Sequence, residues 1–311
     1  MHILLARSFK QTFLDEMNAL GYDVVVDTDS FDWHDVQVTI GWKKEWEAPL
    51  FSKNSQLKWV HSISAGVDTL PLSEFASRGI LVSNASGIHS ESISDHVVGV
   101  LYMYTRQLFA ATLQQETHQW GLDDAVFKPL SELTVTIVGT GNIGTTLAHR
   151  LVPLGVTVFG INRSGHAKEP FHETFSLDQL HEVGRKSDIV INILPLTRQT
   201  TRLYDQAFFA TLQKHAAFIN VGRGESVDEQ ALSEALTTEQ FAFASIDVAT
   251  TEPLPPDHFL WSTKHLMITP HISGYTPHFE TKFMEIFLPN LREFTASRTL
   301  VRNQVDLEQG Y

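Results

Sequence analysis

The chain has 311 residues, with 23 Lys and Arg against 36 Asp and Glu, a formal net charge of −13 at pH 7. That sign argues against a nucleic-acid partner, and the absence of cysteine excludes disulfides, thiolate metal sites and cysteine nucleophiles. At roughly 100–200 residues per domain the length suggests about two domains. The longest uninterrupted apolar run, Val97 to Tyr104, is far below the ~18 residues that span a bilayer, so a soluble, cytoplasmic chain with no membrane partner and no metal site is expected.

Met1 to Arg7 is too short an apolar stretch for a signal-peptide core and reads as a first strand, Ile3 to Ala6. Phe9, Phe13, Met17 and Leu20 follow at helical spacing, Gly21 stops that helix, and Val24 to Val26, Val36 to Ile40, Trp59 to Ile63 and Ile80 to Ser83 are further strand candidates. They indicate a small parallel α/β unit ending near residue 90. A long helix is expected from Ser90, with Ser92 and Asp95 as a capping box, Val97, Val98, Leu101, Tyr104 and Leu108 on one face, and a course that crosses between domains. After a polar stretch from Gln114 to Asp124 come six strand candidates: Val135 to Val138, Val156 to Ile161, Ile189 to Leu194, Ala217 to Val221, Ala242 to Val248 and Leu266 to Thr269. Helical patterns separate most of them, which is the signature of a doubly wound parallel sheet. A last helix from about Pro277 carries Phe283, Ile286 and Phe287 before Pro289, and this short segment should return to the first domain. The expected division is 1–95 with 280–311 as a substrate-binding domain and 96–279 as a dinucleotide-binding Rossmann domain.

The strand Val135 to Val138 runs into Gly139-Thr140-Gly141-Asn142-Ile143-Gly144 and then into a helical pattern, the G-x-G-x-x-G motif in its required context. Gly139 permits the tight turn, Gly141 lets the backbone approach a pyrophosphate, Gly144 lets helix and strand pack, and the helix start at Asn142 and Ile143 supplies oriented N–H groups. The next strand should end at Asp or Glu if the cofactor's ribose carries a free 2′-hydroxyl. It ends instead at Asn162-Arg163-Ser164, which offers a guanidinium and small polar groups to a 2′-phosphate. NADP(H) is therefore the expected cofactor, with NAD(H) as the alternative.

Ligands of open α/β sheets bind outside the carboxyl ends of the strands, and three residues there suit one chemistry. Arg223 lies between Gly222 and Gly224, Glu252 follows the strand ending near Val248, and His271 follows the last strand. Hydride delivery to a 2-oxo acid builds negative charge on the carbonyl oxygen, which a protonated histidine neutralises as general acid. A carboxylate beside that histidine favours the imidazolium form, and an arginine can anchor the substrate's carboxylate or polarise its carbonyl.

The runs Gly139–Gly144, Asn220–Gly224, Asp247–Leu254 and Pro270–Gly274, in this order and spacing, resemble the D-isomer-specific 2-hydroxyacid dehydrogenase family across essentially the whole chain. The resemblance implies Arg223, Glu252 and His271 as the catalytic set and Asp247 as the acid that holds the nicotinamide carboxamide. It also implies a cofactor-lining turn at Leu194-Pro195, with Val221 and Gly222 beside the cofactor. Ser62 to Asp68 looks like the family's substrate loop, in which N–H groups near Ala65 and Gly66 receive the substrate carboxylate together with Arg223 and His271. A flavodoxin-like first domain and a homodimer are further implications. Asn162-Arg163-Ser164 is similar to the NADP-preferring glyoxylate and hydroxypyruvate reductase branch. The expected activity is reduction of a short 2-oxo acid to the D-2-hydroxy acid. The alternative is a nicotinamide-sensing binding protein or corepressor, which the acidic charge disfavours.

Overall fold

The structure, a computed structural model, describes residues 1–121 and 127–310. The polar stretch from Gln114 to Asp124 is thus described only as far as Gly121. Two units separate along the chain, Met1–Ile88 with Thr276–Tyr311, and His89–Tyr275. No helix among the described residues is long and apolar enough to cross a membrane.

The first unit is built on five parallel strands, β1 (His2–Leu5), β2 (Asp23–Val26), β3 (Val36–Ile40), β4 (Trp59–His61) and β5 (Leu81–Ser83), in the order β2-β1-β3-β4-β5. Both faces are covered: Ile3 and Leu5 pack with Phe283 and Phe287 of the last helix, while Leu4 packs on the other side with Trp46 and Phe75. Successive residues of a strand face opposite ways, so a strand covered on both sides reads as one continuous apolar run. The last helix spans Phe279–Ser297 and continues through Pro289. Proline cannot donate to the carbonyl four residues back, and the Arg302 guanidinium donates to that orphaned oxygen, on Glu285, at 3.0 Å. Phe283, Phe287, Leu291 and Phe294 therefore stay on one buried face.

The second unit carries β6 (Thr134–Val138), β7 (Thr157–Asn162), β8 (Glu173–Ser176), β9 (Ile189–Asn192), β10 (Ala217–Asn220), β11 (Phe243–Ile246) and β12 (Leu266–Ile268), all parallel, in the order β12-β11-β10-β9-β6-β7-β8. The chain winds outward from β6 in one direction and then from β9 in the other, so the crevice at the carboxyl ends of β6 and β9 is the switch point where such sheets take ligands. Strand β8 has no counterpart among the sequence expectations. It is a four-residue edge strand, Glu-Thr-Phe-Ser, paired only with β7 and partly exposed, so it lacks the apolar signal of a buried strand.

The helix expected to join the domains spans Ser90–Thr105 and lies wholly in the second unit. Its Ile93, Val97, Val100 and Leu101 share a core with Val135, Ile137, Leu147 and Leu151, so the helix cannot be divided at residue 95. Ser92 and Asp95 form no capping box: His89 is the N-cap residue, no side chain caps this helix, and Asp95 pairs with Arg150.

Beneath the first sheet's carboxyl edge, His61 is fully buried. Trp59 Nε1 donates to Ser83 Oγ at 2.8 Å, and the Ser83 oxygen lies 2.5 Å from His61 Nδ1. Nε2 has no hydrogen-bond partner among the described residues, and the ring packs edge-on against Phe283 at 4.7 Å between ring centroids. Burial pushes the ring's pKa from 6.5 down to about 3. Between those values the unfolded chain binds a proton that the folded chain does not, so stability falls as the pH drops below about 6.5, by up to about 1.4 kcal/mol per pH unit from this group. His61→Gln is expected to remove that dependence, and urea midpoints at pH 6.5 and 5.0 should show the parent's advantage over the variant shrinking at the lower pH. An advantage that stayed constant would contradict the assignment.

Candidate active site

Strand β6 runs into Gly139, whose φ of +112° favours glycine, and the helix Asn142–Leu151 begins three residues later. A Cβ on Gly144 would lie 2.0 Å from the Gly139 carbonyl oxygen, so strand and helix approach as the motif requires. A Cβ on Gly141 would meet nothing within 4 Å, and no side chain caps the helix start, which begins at Asn142 and Ile143. This open cradle at a helix N-terminus fits the pyrophosphate of a dinucleotide.

At the end of β7, Arg163 and Ser164 are exposed. Asn162 is turned into its own loop: Oδ1 accepts from Ser164 N at 3.2 Å and Nδ2 donates to His166 O at 2.9 Å, so its amide shapes the turn that presents the other two. Lys168, which sequence reasoning missed, donates from Nζ to the Thr140 carbonyl at 2.5 Å and sets an ammonium against the glycine loop. A lone lysine in a loop before an unrecognised strand gave no signal.

A buried polar network holds the next two loops. Asn192, Tyr204, Asn220 and Ser226 are fully buried. Asn192 Nδ2 donates to Asn220 Oδ1 and to Ser226 Oγ, both at 2.9 Å, while its Oδ1 accepts from Tyr204 Oη at 3.0 Å and from Leu194 N at 3.1 Å. Burial raises the Tyr204 pKa well above 10, so the phenol stays a donor. Asn220 Nδ2 and Ser226 Oγ both donate to the Arg223 carbonyl, at 3.0 and 2.6 Å, and Arg223 Nη1 donates to Gly222 O at 2.9 Å. Half-buried Leu194, exposed Pro195 and buried Val221 and Gly222 are thus set by one cluster. The glycines flanking Arg223 serve packing: a Cβ on Gly222 would lie 2.8 Å from Leu194 O, and one on Gly224 would lie 2.0 Å from the Ala249 carbonyl carbon.

Gly224 is what lets the loop after β11 approach, and that loop carries Glu252. Glu252 Oε1 accepts from Ala249 N at 2.9 Å, and its Oε2 lies 2.6 Å from His271 Nδ1. His271 has a φ of +54°, an uncommon conformation for a residue with a side chain, and Asp247 maintains it. The Asp247 backbone carbonyl accepts from His271 N at 2.8 Å. Its carboxylate Oδ1 accepts from Thr269 Oγ1 at 2.5 Å and Ile272 N at 3.0 Å, and Oδ2 accepts from Ser273 N at 2.9 Å. These three donors take three of the roughly four lone-pair sites on a carboxylate. The charge of this acid reaches His96, whose pKa burial nonetheless pushes below the ordinary 6.5. A cavity of about 560 Å³ lies against the His271–Glu252 pair, walled by Val248, Leu254, Trp261 and Ile268. Ala65 and Gly66 are half-buried in the loop after β4, in the first unit.

Two glycines separate the parts of this arrangement. Gly144→Ala is expected to weaken nicotinamide cofactor binding at least about tenfold, since the clash is with backbone that shapes the cradle. Gly224→Ala is expected to leave cofactor binding within about twofold and to lower turnover at least about tenfold by displacing the Glu252 loop. Cofactor fluorescence titration beside steady-state rates distinguishes the two.

Residues 98–273 match the family model described as D-isomer specific 2-hydroxyacid dehydrogenase, NAD binding domain. The chain is 33% identical over 231 residues to a glyoxylate reductase/hydroxypyruvate reductase of Mus musculus, covering 73% of this chain and 70% of that protein. Among solved structures it is similar to a D-isomer specific 2-hydroxyacid dehydrogenase from Xanthobacter autotrophicus Py2 in complex with NADPH and MES, with a TM-score of 0.86, 28% identity and coverage of 100% of this chain and 99% of that one. An NADPH-dependent glyoxylate/hydroxypyruvate reductase from Sinorhizobium meliloti in complex with NADP and sulfate gives a TM-score of 0.83, 26% identity and the same coverages. The chain therefore belongs to the D-isomer-specific 2-hydroxyacid dehydrogenase family of NAD(P)-dependent oxidoreductases.

Proposed function

We propose that the protein reduces a short 2-oxo acid to the D-2-hydroxy acid with NADPH as hydride donor. The observation that carries this reading is the His271–Glu252 pair, 2.6 Å apart and itself fixed at both ends, at the carboxyl edge of a sheet with a dinucleotide cradle. The reductase relatives and the NADPH-bound and NADP-bound neighbours support it.

The cofactor, when bound, supplies the hydride to the carbonyl carbon. Gly139, Gly141, Asn142, Ile143 and Gly144 would hold its pyrophosphate, Leu194, Pro195, Val221 and Gly222 would line it, and Asp247 would accept from its carboxamide. Arg163 and Ser164 bind the 2′-phosphate, with the Lys168 ammonium adding positive charge on the same side. Arg223 anchors the substrate, and the Ala65 and Gly66 amides receive its carboxylate. Glu252 accepts from Nδ1–H of His271, which leaves the Nε2 proton to move to the carbonyl oxygen as negative charge develops there. Because Ala249 N holds the other Glu252 oxygen, the imidazole is oriented before substrate arrives, and no reorganisation is needed at the moment of transfer.

Nicotinamide absorbance at saturating NADPH, followed across glyoxylate, hydroxypyruvate, pyruvate and bulkier 2-oxo acids, should show turnover. Cofactor binding without turnover on any of them would overturn the reading in favour of a sensing protein. His271→Ala is expected to lower kcat by about 10²–10⁴, the range for loss of a general acid, with NADPH binding intact. Survival of the parental rate would remove His271 from the mechanism. Arg163→Ala is expected to weaken NADPH at least about tenfold, roughly the loss of one charge-assisted contact, and to change NADH affinity by less than about twofold. Equal losses for both cofactors would refute the phosphate contact.

A further inference from the structure

The loop from Ser62 to Asp68 offers a carboxylate its backbone and little else, so what orients that backbone decides how well it binds. Ala85 N donates to Ser64 O at 3.1 Å, and Asn84 Nδ2 donates to Ala65 O at 2.8 Å. A trans peptide is planar, with its C=O and N–H on opposite sides. Holding the Ala65 carbonyl toward Asn84 therefore aims the Gly66 N–H the other way, out of the protein's own bonding. Among the described residues neither the Ala65 nor the Gly66 amide donates to a protein acceptor.

Asn84 is oriented in turn by a segment from the far end of the chain. Asn303 accepts from Asn84 N at 3.1 Å through its backbone carbonyl, and its Nδ2 donates to the carbonyls of Asn84 at 3.1 Å and Ser86 at 2.8 Å. Asn84 Oδ1 accepts from Ser86 N at 3.1 Å, which fixes the amide so that Nδ2 faces Ala65. Asn303 sits at φ +50°, a conformation asparagine tolerates. Its segment is anchored by the fully buried Asn290, which accepts from Val301 N at 2.9 Å and Arg302 N at 2.8 Å, and by Val305 N donating to Val82 O at 2.9 Å.

We propose that Asn303 is a positioning residue for the substrate carboxylate, acting through Asn84 to hold the Gly66 N–H toward it. This rests on the reading of the Ser62–Asp68 loop as the carboxylate receiver. The test is the KM for glyoxylate or hydroxypyruvate, whichever turns over faster, against the Kd for NADPH. Asn303→Asp keeps the size and the tolerance of positive φ but sets an acceptor against two carbonyls; Asn303→Gly keeps the φ and removes the donor. Both are expected to raise KM about tenfold, the equivalent of one hydrogen bond to a charged group, with kcat within about threefold and NADPH Kd within about twofold. Gly66→Pro, which deletes the N–H, serves as the reference and should raise KM at least as much. An unchanged KM in Gly66→Pro would overturn the loop reading itself. A raised KM in Gly66→Pro with parental values in both Asn303 variants would overturn the role of Asn303 alone. Parental KM in Asn303→Gly with a raised KM in Asn303→Asp would also overturn it, because the donor would then be dispensable. Equal losses in KM and NADPH Kd would reduce Asn303 to a structural residue.

Discussion

The Asn192 side-chain amide is the constraint on which the second unit's site depends. Strands β9 and β10 end side by side, and each hands the chain to a loop that must leave the sheet at once. Their last residues would strand buried polar groups in a dry interior, where an unmade hydrogen bond costs about 1–3 kcal/mol. Asn192 satisfies Asn220, Ser226, Tyr204 and Leu194 together, and two of these partners fix the Arg223 carbonyl. The turn at Leu194 and the loop of Arg223 are in consequence one rigid object. An apolar residue could fill the same volume but could not tell either loop where to go.

Charge is used sparingly, and where it is used the two acids near His271 divide the work. Asp247 is buried and accepts from Thr269 Oγ1 and from the two backbone amides that follow the histidine. Glu252 is partly exposed and meets the imidazole itself. A single acid doing both would have to choose between holding the loop and following the ring. The close approach of Gly224 to Ala249 joins this half to the Arg223 half through backbone contact.

Much of this was legible because the fold places function where strands end. The glycine motif, Arg223, Glu252 and His271 each follow a strand whose apolar run is plain in the sequence, so their position was readable before any contact was known. The strand ends themselves were read too long: Ile63, Leu194 and Val248 continue the apolar pattern but belong to loops. Periodicity reports burial, and these residues are half-buried or buried without being in the sheet. Asn192, His96 and Lys168 escaped notice for a different reason. Asn192 and Lys168 bond Asn220 and Thr140, and His96 feels the charge of Asp247; all three lie far along the chain, and an isolated Asn, His or Lys has no spacing that betrays such a neighbour. How the last helix passes Pro289 was not legible, because the donor to the freed Glu285 carbonyl comes from Arg302, beyond the helix end.

Both units meet the problem of rigid loops over a sheet edge with neutral amides, Asn192 and Asn220 in one, Asn84 and Asn303 in the other. An asparagine presents a donor and an acceptor on one short, stiff side chain, so it can bind a carbonyl and an amide of neighbouring turns at once. An aspartate in the same place would accept only and would add a buried negative charge. A lysine would donate only and would add a positive one. In a chain with a net charge of −13, these neutral amides hold both sets of loops without adding further charge. The scaffold gains stiffness from hydrogen bonds between groups that carry no net charge.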